Sequence, residues 1–105
     1  MTCKVEVQPT ARLQLLELDE WWSVNRPASA TRVIDAFERA IALLAETPDI
    51  GSLYRVPDLS EIRRLRLGGT PYALYYQHDV ARDVVSVLAV WSNMRGHGPF
   101  AARPK

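Results

Sequence analysis

The stretch EIRRLRLGGTPYALYYQHDVARDVVSVLAVW, Glu61 to Trp91, holds three strand patterns separated by two turns, and its reading decides the fold. Ile62 to Leu67 alternates, which predicts Arg64 and Arg66 on one face and Leu65 and Leu67 on the other. Gly68-Gly69-Thr70-Pro71 supplies a turn. Pro71 to Gln77 is rich in aromatics and predicts the next strand. Asp79 to Asp83 is a polar turn that leaves His78 at a strand end, as an exposed turn residue. Val84 to Trp91 is nearly continuous in apolar residues, the pattern of a central strand covered on both faces.

Upstream the period changes from two to about 3.6. Ala11, Leu15, Leu18 and Trp22 recur at spacings of four, three and four, which makes one face of a helix, and Leu16 and Trp21 widen that stripe. Pro9-Thr10 ends a short first strand, Cys3 to Val7, and Thr10 is the expected helix cap. Asn25-Arg26-Pro27 breaks the helix, and Pro27 suits the first turn of a second one carrying Ala30, Val33, Phe37, Ile41 and Leu44. Thr47 to Gly51 stops that helix, because proline disfavours helical geometry at the residue before it. Two helices joined by so short a break form an antiparallel hairpin. Ser52 to Ser60, with Pro57 and few periodic positions, is expected to be a loop. The order β-α-α-β-β-β therefore predicts an α+β domain, with a helical hairpin on one face of a small, largely antiparallel sheet. The other face is left partly open, with Arg64 and Arg66 on it.

A chain of 105 residues fits one domain, spanning 1–105, and 24% charged residues with 48% hydrophobic ones are those of an ordinary folded protein. Residues 92–105 hold two glycines, two prolines and three basic residues, and are expected to form an irregular, partly mobile tail. No apolar run approaches bilayer-spanning length and no leader pattern opens the chain, so a cytoplasmic protein without membrane association is expected. Cys3 is the single cysteine, expected as a small apolar side chain of the first strand. Two histidines far apart, without carboxylates at ligand spacing, offer no metal site, and no cofactor is expected. Residues 1–50 carry a net charge of −3 and residues 51–105 one of +4, a weak polarity that favours an acidic partner for the second half.

Several strings, taken in order, resemble the RelE/ParE superfamily of toxins from type II toxin–antitoxin systems. They are Glu20-Trp21-Trp22, Asn25-Arg26-Pro27, Phe37-Glu38-Arg39-Ala40-Ile41 with Leu44, and Pro48 to Gly51. Ile62-Arg63-Arg64-Leu65, Tyr72 to Tyr76, Val87 to Trp91 and Arg95-Gly96 continue the series. The resemblance implies a toxin neutralised by a cognate antitoxin, contacting operator DNA only through that antitoxin. It also implies one of two targets. ParE-like members poison DNA gyrase and have no established catalytic residues. RelE-like members cut messenger RNA on the ribosome.

If the chain is an enzyme, it is a metal-independent RNA endonuclease, which needs proton-transfer groups and cations for the phosphorane. The candidates are Arg64, Arg66, Tyr76, Arg95 and His97. Each has a plainer reading: Arg64 and Arg66 suit a solvated strand or an acidic antitoxin surface, Tyr76 suits sheet packing, and His97 lies among glycines. Trp21 and Trp22 are adjacent and cannot both face one core, so at least one is expected at a contact surface. Trp21, Trp22, Arg64 and Arg66 are accordingly the candidate antitoxin-binding residues. Ribosome-dependent relatives tend to be lysine-rich and often carry histidine after the last strand. This chain has only Lys4 and Lys105, and Ser92 at that place. The balance favours the gyrase-directed branch, with an inactivated member acting only in an antitoxin–DNA repressor complex as a third reading.

Overall fold

A computed structural model describes residues 2–100. The elements run β1 (Lys4–Val7), α1 (Pro9–Asn25), a short 3-10 turn (Pro27–Ser29), α2 (Arg32–Glu46), β2 (Ser52–Tyr54), β3 (Ile62–Arg66), β4 (Tyr72–Asp79) and β5 (Val84–Ser92). The strands form one sheet in the order β1-β5-β4-β3-β2. β1 runs parallel to β5, and the other neighbours are antiparallel. The expected α+β architecture is thus observed, with one strand more than the sequence predicts.

That extra strand is β2, which lies in the stretch expected as a loop. It has three residues, two of them exposed, and is held at the sheet edge by backbone pairing of Ser52, Leu53 and Tyr54 with Arg64, Arg63 and Ile62. A strand so short carries no side-chain periodicity, so nothing in its sequence marks it. Two helix starts also differ from expectation. Pro9 opens α1 at its first turn, where a missing N–H costs nothing, and Gln8 rather than Thr10 occupies the cap position. Pro27 opens the 3-10 turn instead of α2, which begins at Arg32.

The helical hairpin covers one sheet face. Ala11 and Leu15 from α1 meet Val33, Ala36, Phe37, Ala40 and Leu44 from α2 over Leu67, Leu74, Tyr76, Val85, Val87 and Val90 of the sheet. Burying each large apolar side chain here contributes about 1.5–3 kcal/mol. Leu18 and Trp22 pack at the edge of this core, as the stripe predicts, but Leu16 and Trp21 stay exposed. β5 reads as apolar throughout because it lies between β1 and β4 and is covered on both faces. A bulge at Leu88 shifts the β4–β5 register, so that Tyr75 faces Ala89 while Tyr76 faces Val87. Gly69, at φ +80°, makes the β3–β4 turn in a conformation that other residues adopt only at a cost.

Candidate functional site

The second sheet face carries the charged candidates. Because side chains alternate along a strand, Ile62, Arg64 and Arg66 of β3 point away from the helices, while Leu65 packs towards them. Register then fixes their neighbours: Arg64 pairs with Tyr75, Arg66 with Ala73, and Ala73 in turn with Trp91. Ile62, Ala73, Tyr75 and Ala89 form a small second core on this face, joined by Tyr54, Leu88, Trp91 and Phe100.

Residues 93–100 carry no helix or strand, and they lie against this face. The Asn93 N–H bonds the Pro71 carbonyl at 2.7 Å, which turns the chain out of β5. Arg64 Nη2 donates to Asn93 Oδ1. The Trp91 indole N–H donates to the His97 carbonyl at 2.9 Å, and the Arg95 guanidinium sits 4.1 Å from the Trp91 ring centre. Phe100 meets Tyr75 edge-on at 5.9 Å and Tyr54 at 6.5 Å. The far end of the expected tail, residues 101–105, lies outside the described residues.

Not all five ribonuclease candidates share this face. Arg64, Arg66, Arg95 and His97 lie on or beside it, all but the half-buried Arg64 being exposed. Tyr76 is on the opposite face, fully buried under the helices, where its hydroxyl accepts the Gly51 N–H at 2.9 Å. The tyrosine beside Arg64 is Tyr75, which the sequence reading missed. The adjacent tyrosines look alike in sequence, and only the strand register separates them. Asn93 and Phe100 were missed as well, since an irregular segment carries no periodicity to place its side chains.

His78 also departs from expectation. Its side chain is only 10% exposed and lies between Asp49 (3.2 Å) and Asp83 (3.5 Å), not free in a turn. Asp49 stands in the middle of the α2–β2 connection, where Arg63 donates to the carbonyls of Asp49 and Gly51. These contacts tie that connection to the sheet. Among the described residues no group of three or more His, Cys, Asp or Glu is placed to hold a metal ion. Cys3 is buried and its thiol donates to the Leu44 carbonyl at 3.3 Å, in keeping with a packing role.

Burial pushes the ionisations of Cys3, Tyr75 and Tyr76 upward. Arg64 opposes the rise at Tyr75, while the Gly51 N–H and Arg63 oppose it at Tyr76. The folded chain therefore holds these protons at pH values where the unfolded chain has begun to lose them. Stability is fully present below the ordinary values of 9.0 for the thiol and 10.0 for the phenols, and is lost as pH rises through the higher folded values. The urea midpoint is expected to fall between about pH 9 and pH 11. A midpoint that stayed level, with the fold intact, would contradict the burial of these groups.

Trp21 and Trp22 part company on α1. Trp22 lies at the core edge and donates its indole N–H to the Tyr72 hydroxyl at 3.0 Å. Trp21 is 48% exposed and meets Trp22 edge-on at 6.0 Å. It also lines a cleft of about 560 Å³ between α1 and the end of β5.

The model of the family described as the ParE toxin of the type II toxin–antitoxin system parDE matches residues 5–96. Comparison with curated proteins gives no match. Among solved structures, the toxin–antitoxin complex RelBE2 from Mycobacterium tuberculosis superposes with a TM-score of 0.61 at 24% identity, over 88% of this chain and 99% of the other. The chromosomal ParDE system of Pseudomonas aeruginosa gives a TM-score of 0.68 at 15% identity, over 87% and 96%. A mutant of the Escherichia coli toxin RelE in the free state gives 0.56 at 20% identity, over 90% and 86%. At these identities the likeness is one of fold.

Proposed function

This chain belongs to the ParE toxin family of type II toxin–antitoxin systems, and from that premise we propose that it arrests growth by binding DNA gyrase, without chemistry of its own. It is the toxin component of such a pair, and a cognate antitoxin is its partner. The observation that carries the gyrase reading is the division of the ribonuclease candidates. Tyr76 is sealed behind the sheet, Arg64 is engaged by Asn93, and residues 93–100 rest on the face where a phosphate would have to sit. A protein that acts by binding needs no such constellation, and the near-neutral charge suits a protein target better than a polyanion.

One observation favours a second reading. Arg64 Nε is buried and has no acceptor among the described residues, and a buried guanidinium N–H without a partner suits an anionic ligand. In that reading Arg64 and the exposed Arg66 would hold the phosphate of a ribosome-bound message.

The two readings separate in one experiment. The purified chain, added to purified gyrase with relaxed plasmid and ATP, is expected to block supercoiling, while messages in cells induced without antitoxin stay uncut. Reading-frame cuts in those messages with supercoiling intact would overturn the proposal and make Arg64, Arg66 and Arg95 the first residues to replace.

A further inference from the structure

β5 is nine residues long, but its outer neighbour β1 has only four. Pairing stops at Val7 opposite Val87, and the Gln8 N–H makes the last backbone bond, to the Val87 carbonyl at 2.9 Å. Beyond this point the outer edge of β5 faces α1 across a cleft. The Val90 N–H points into it and is met by Gln14 Oε1 at 2.9 Å. A side chain from α1 there supplies the acceptor that a neighbouring strand's carbonyl normally supplies.

The direction of the remaining groups follows from strand geometry. The N–H and C=O of one residue in an antiparallel strand point to the same side, and successive residues alternate. Asn93 bonds towards β4, through Pro71, and Val90 bonds away from it. The Ser92 N–H and the Val90 carbonyl therefore face the cleft as well, a donor and an acceptor with no partner among the described residues. Leu18, Trp21, Tyr72 and Trp91 supply apolar wall, and Glu17 and Arg95 also line the cleft, the Arg95 guanidinium lying on Trp91. The cleft of about 560 Å³ accommodates several residues of extended chain.

We propose that this gap receives an extended segment of the antitoxin, which takes up the sheet where β1 leaves off. The inference rests on the toxin–antitoxin reading and names the place where that partner binds. An extended backbone is the occupant that satisfies the open edge. The cleft selects an apolar side chain to lie on Trp21. Trp21, half exposed in the free chain, becomes the buried anchor.

The test uses the full chain and the protein encoded beside it, co-expressed and purified. Backbone amide exchange is followed by NMR in the free chain and in the complex. The Ser92 amide is expected to slow by about a hundredfold or more on binding. Trp21→Glu and Ser92→Pro are each expected to weaken Kd by roughly tenfold or more. Trp21→Glu alters an exposed position and keeps the fold, and Val80→Glu, in the distant β4–β5 turn, is expected to bind as the parent does. A tight complex in which Ser92 still exchanges freely and Trp21→Glu binds normally would place the antitoxin elsewhere and overturn the inference, with the toxin reading intact. Protection of Ser92 by self-association of the free chain would overturn it too. Absence of any complex would remove both the inference and the premise, and gyrase inhibition by the free chain reports on the target separately.

Discussion

Tyr76→Ala is expected to cost about 3–5 kcal/mol of folding stability, the value for emptying a fully buried aromatic site. Tyr76 has no exposed surface and packs beneath the helical hairpin. Its hydroxyl is also the acceptor for the Gly51 N–H, at a close approach where a Cβ on residue 51 would meet the Tyr76 oxygen at 2.7 Å and the Arg64 carbonyl at 2.9 Å. Removing the ring leaves that N–H without its acceptor, so the loss falls at the upper end of the range. Against a total stability of about 5–15 kcal/mol for a domain of this kind, such a variant is at the margin of folding. Tyr76→Phe is the informative companion. It keeps the ring, forfeits one buried hydrogen bond, and is expected to cost about 1–2 kcal/mol. At a temperature where that variant is folded it should arrest growth as the parent does. Denaturant unfolding together with induced expression separates the roles. Lost toxicity at unchanged stability would mark Tyr76 as a chemical group after all.

The second large effect lies on α1, where two neighbouring tryptophans are expected to respond in opposite ways. Trp22→Ala removes an indole that packs at the core edge, donates to the Tyr72 hydroxyl, and meets that ring edge-on at 6.4 Å. Partial exposure lowers the loss below that of a fully buried tryptophan, to about 2–3 kcal/mol. Thermal unfolding reads this as a drop of roughly ten degrees or more. Trp21→Ala removes an exposed ring and is expected to cost less than about 1 kcal/mol, while binding of the antitoxin weakens. Equal stability losses at the two positions would contradict the placement of Trp21 outside the core.

These two contrasts bear on the gyrase reading in the same way. Both assign the conspicuous aromatic side chains to packing or to partner contact, and the first removes Tyr76 from the face that carries Arg64. The tyrosine that does lie there, Tyr75, is itself buried beneath Phe100 and Tyr54. Under the proposed gyrase reading, a toxin built this way acts through its surfaces.

The sequence by itself determined the helical hairpin, because Ala11-Leu15-Leu18-Trp22 and Val33-Phe37-Leu44 repeat at a helical period that only one-sided burial explains. It determined the long strands for the same reason, and the alternation of Arg64 and Arg66 against Leu65 and Leu67 already assigned the arginines to the face away from the helices. These features are legible because a side chain's direction follows from its position within one element. The tertiary structure decided what depends on two elements meeting. Register and the Leu88 bulge brought Tyr75 rather than Tyr76 beside Arg64, since a shift of one residue reverses every side chain on a strand. Backbone pairing alone made β2. Asp49 and Asp83, from separate connections, enclosed His78, and the docking of residues 93–100 on the sheet brought Asn93 to Arg64. The short reach of β1 left the end of β5 open beside Trp21, because an edge is free or filled according to its neighbour's length, which no local pattern in β5 records.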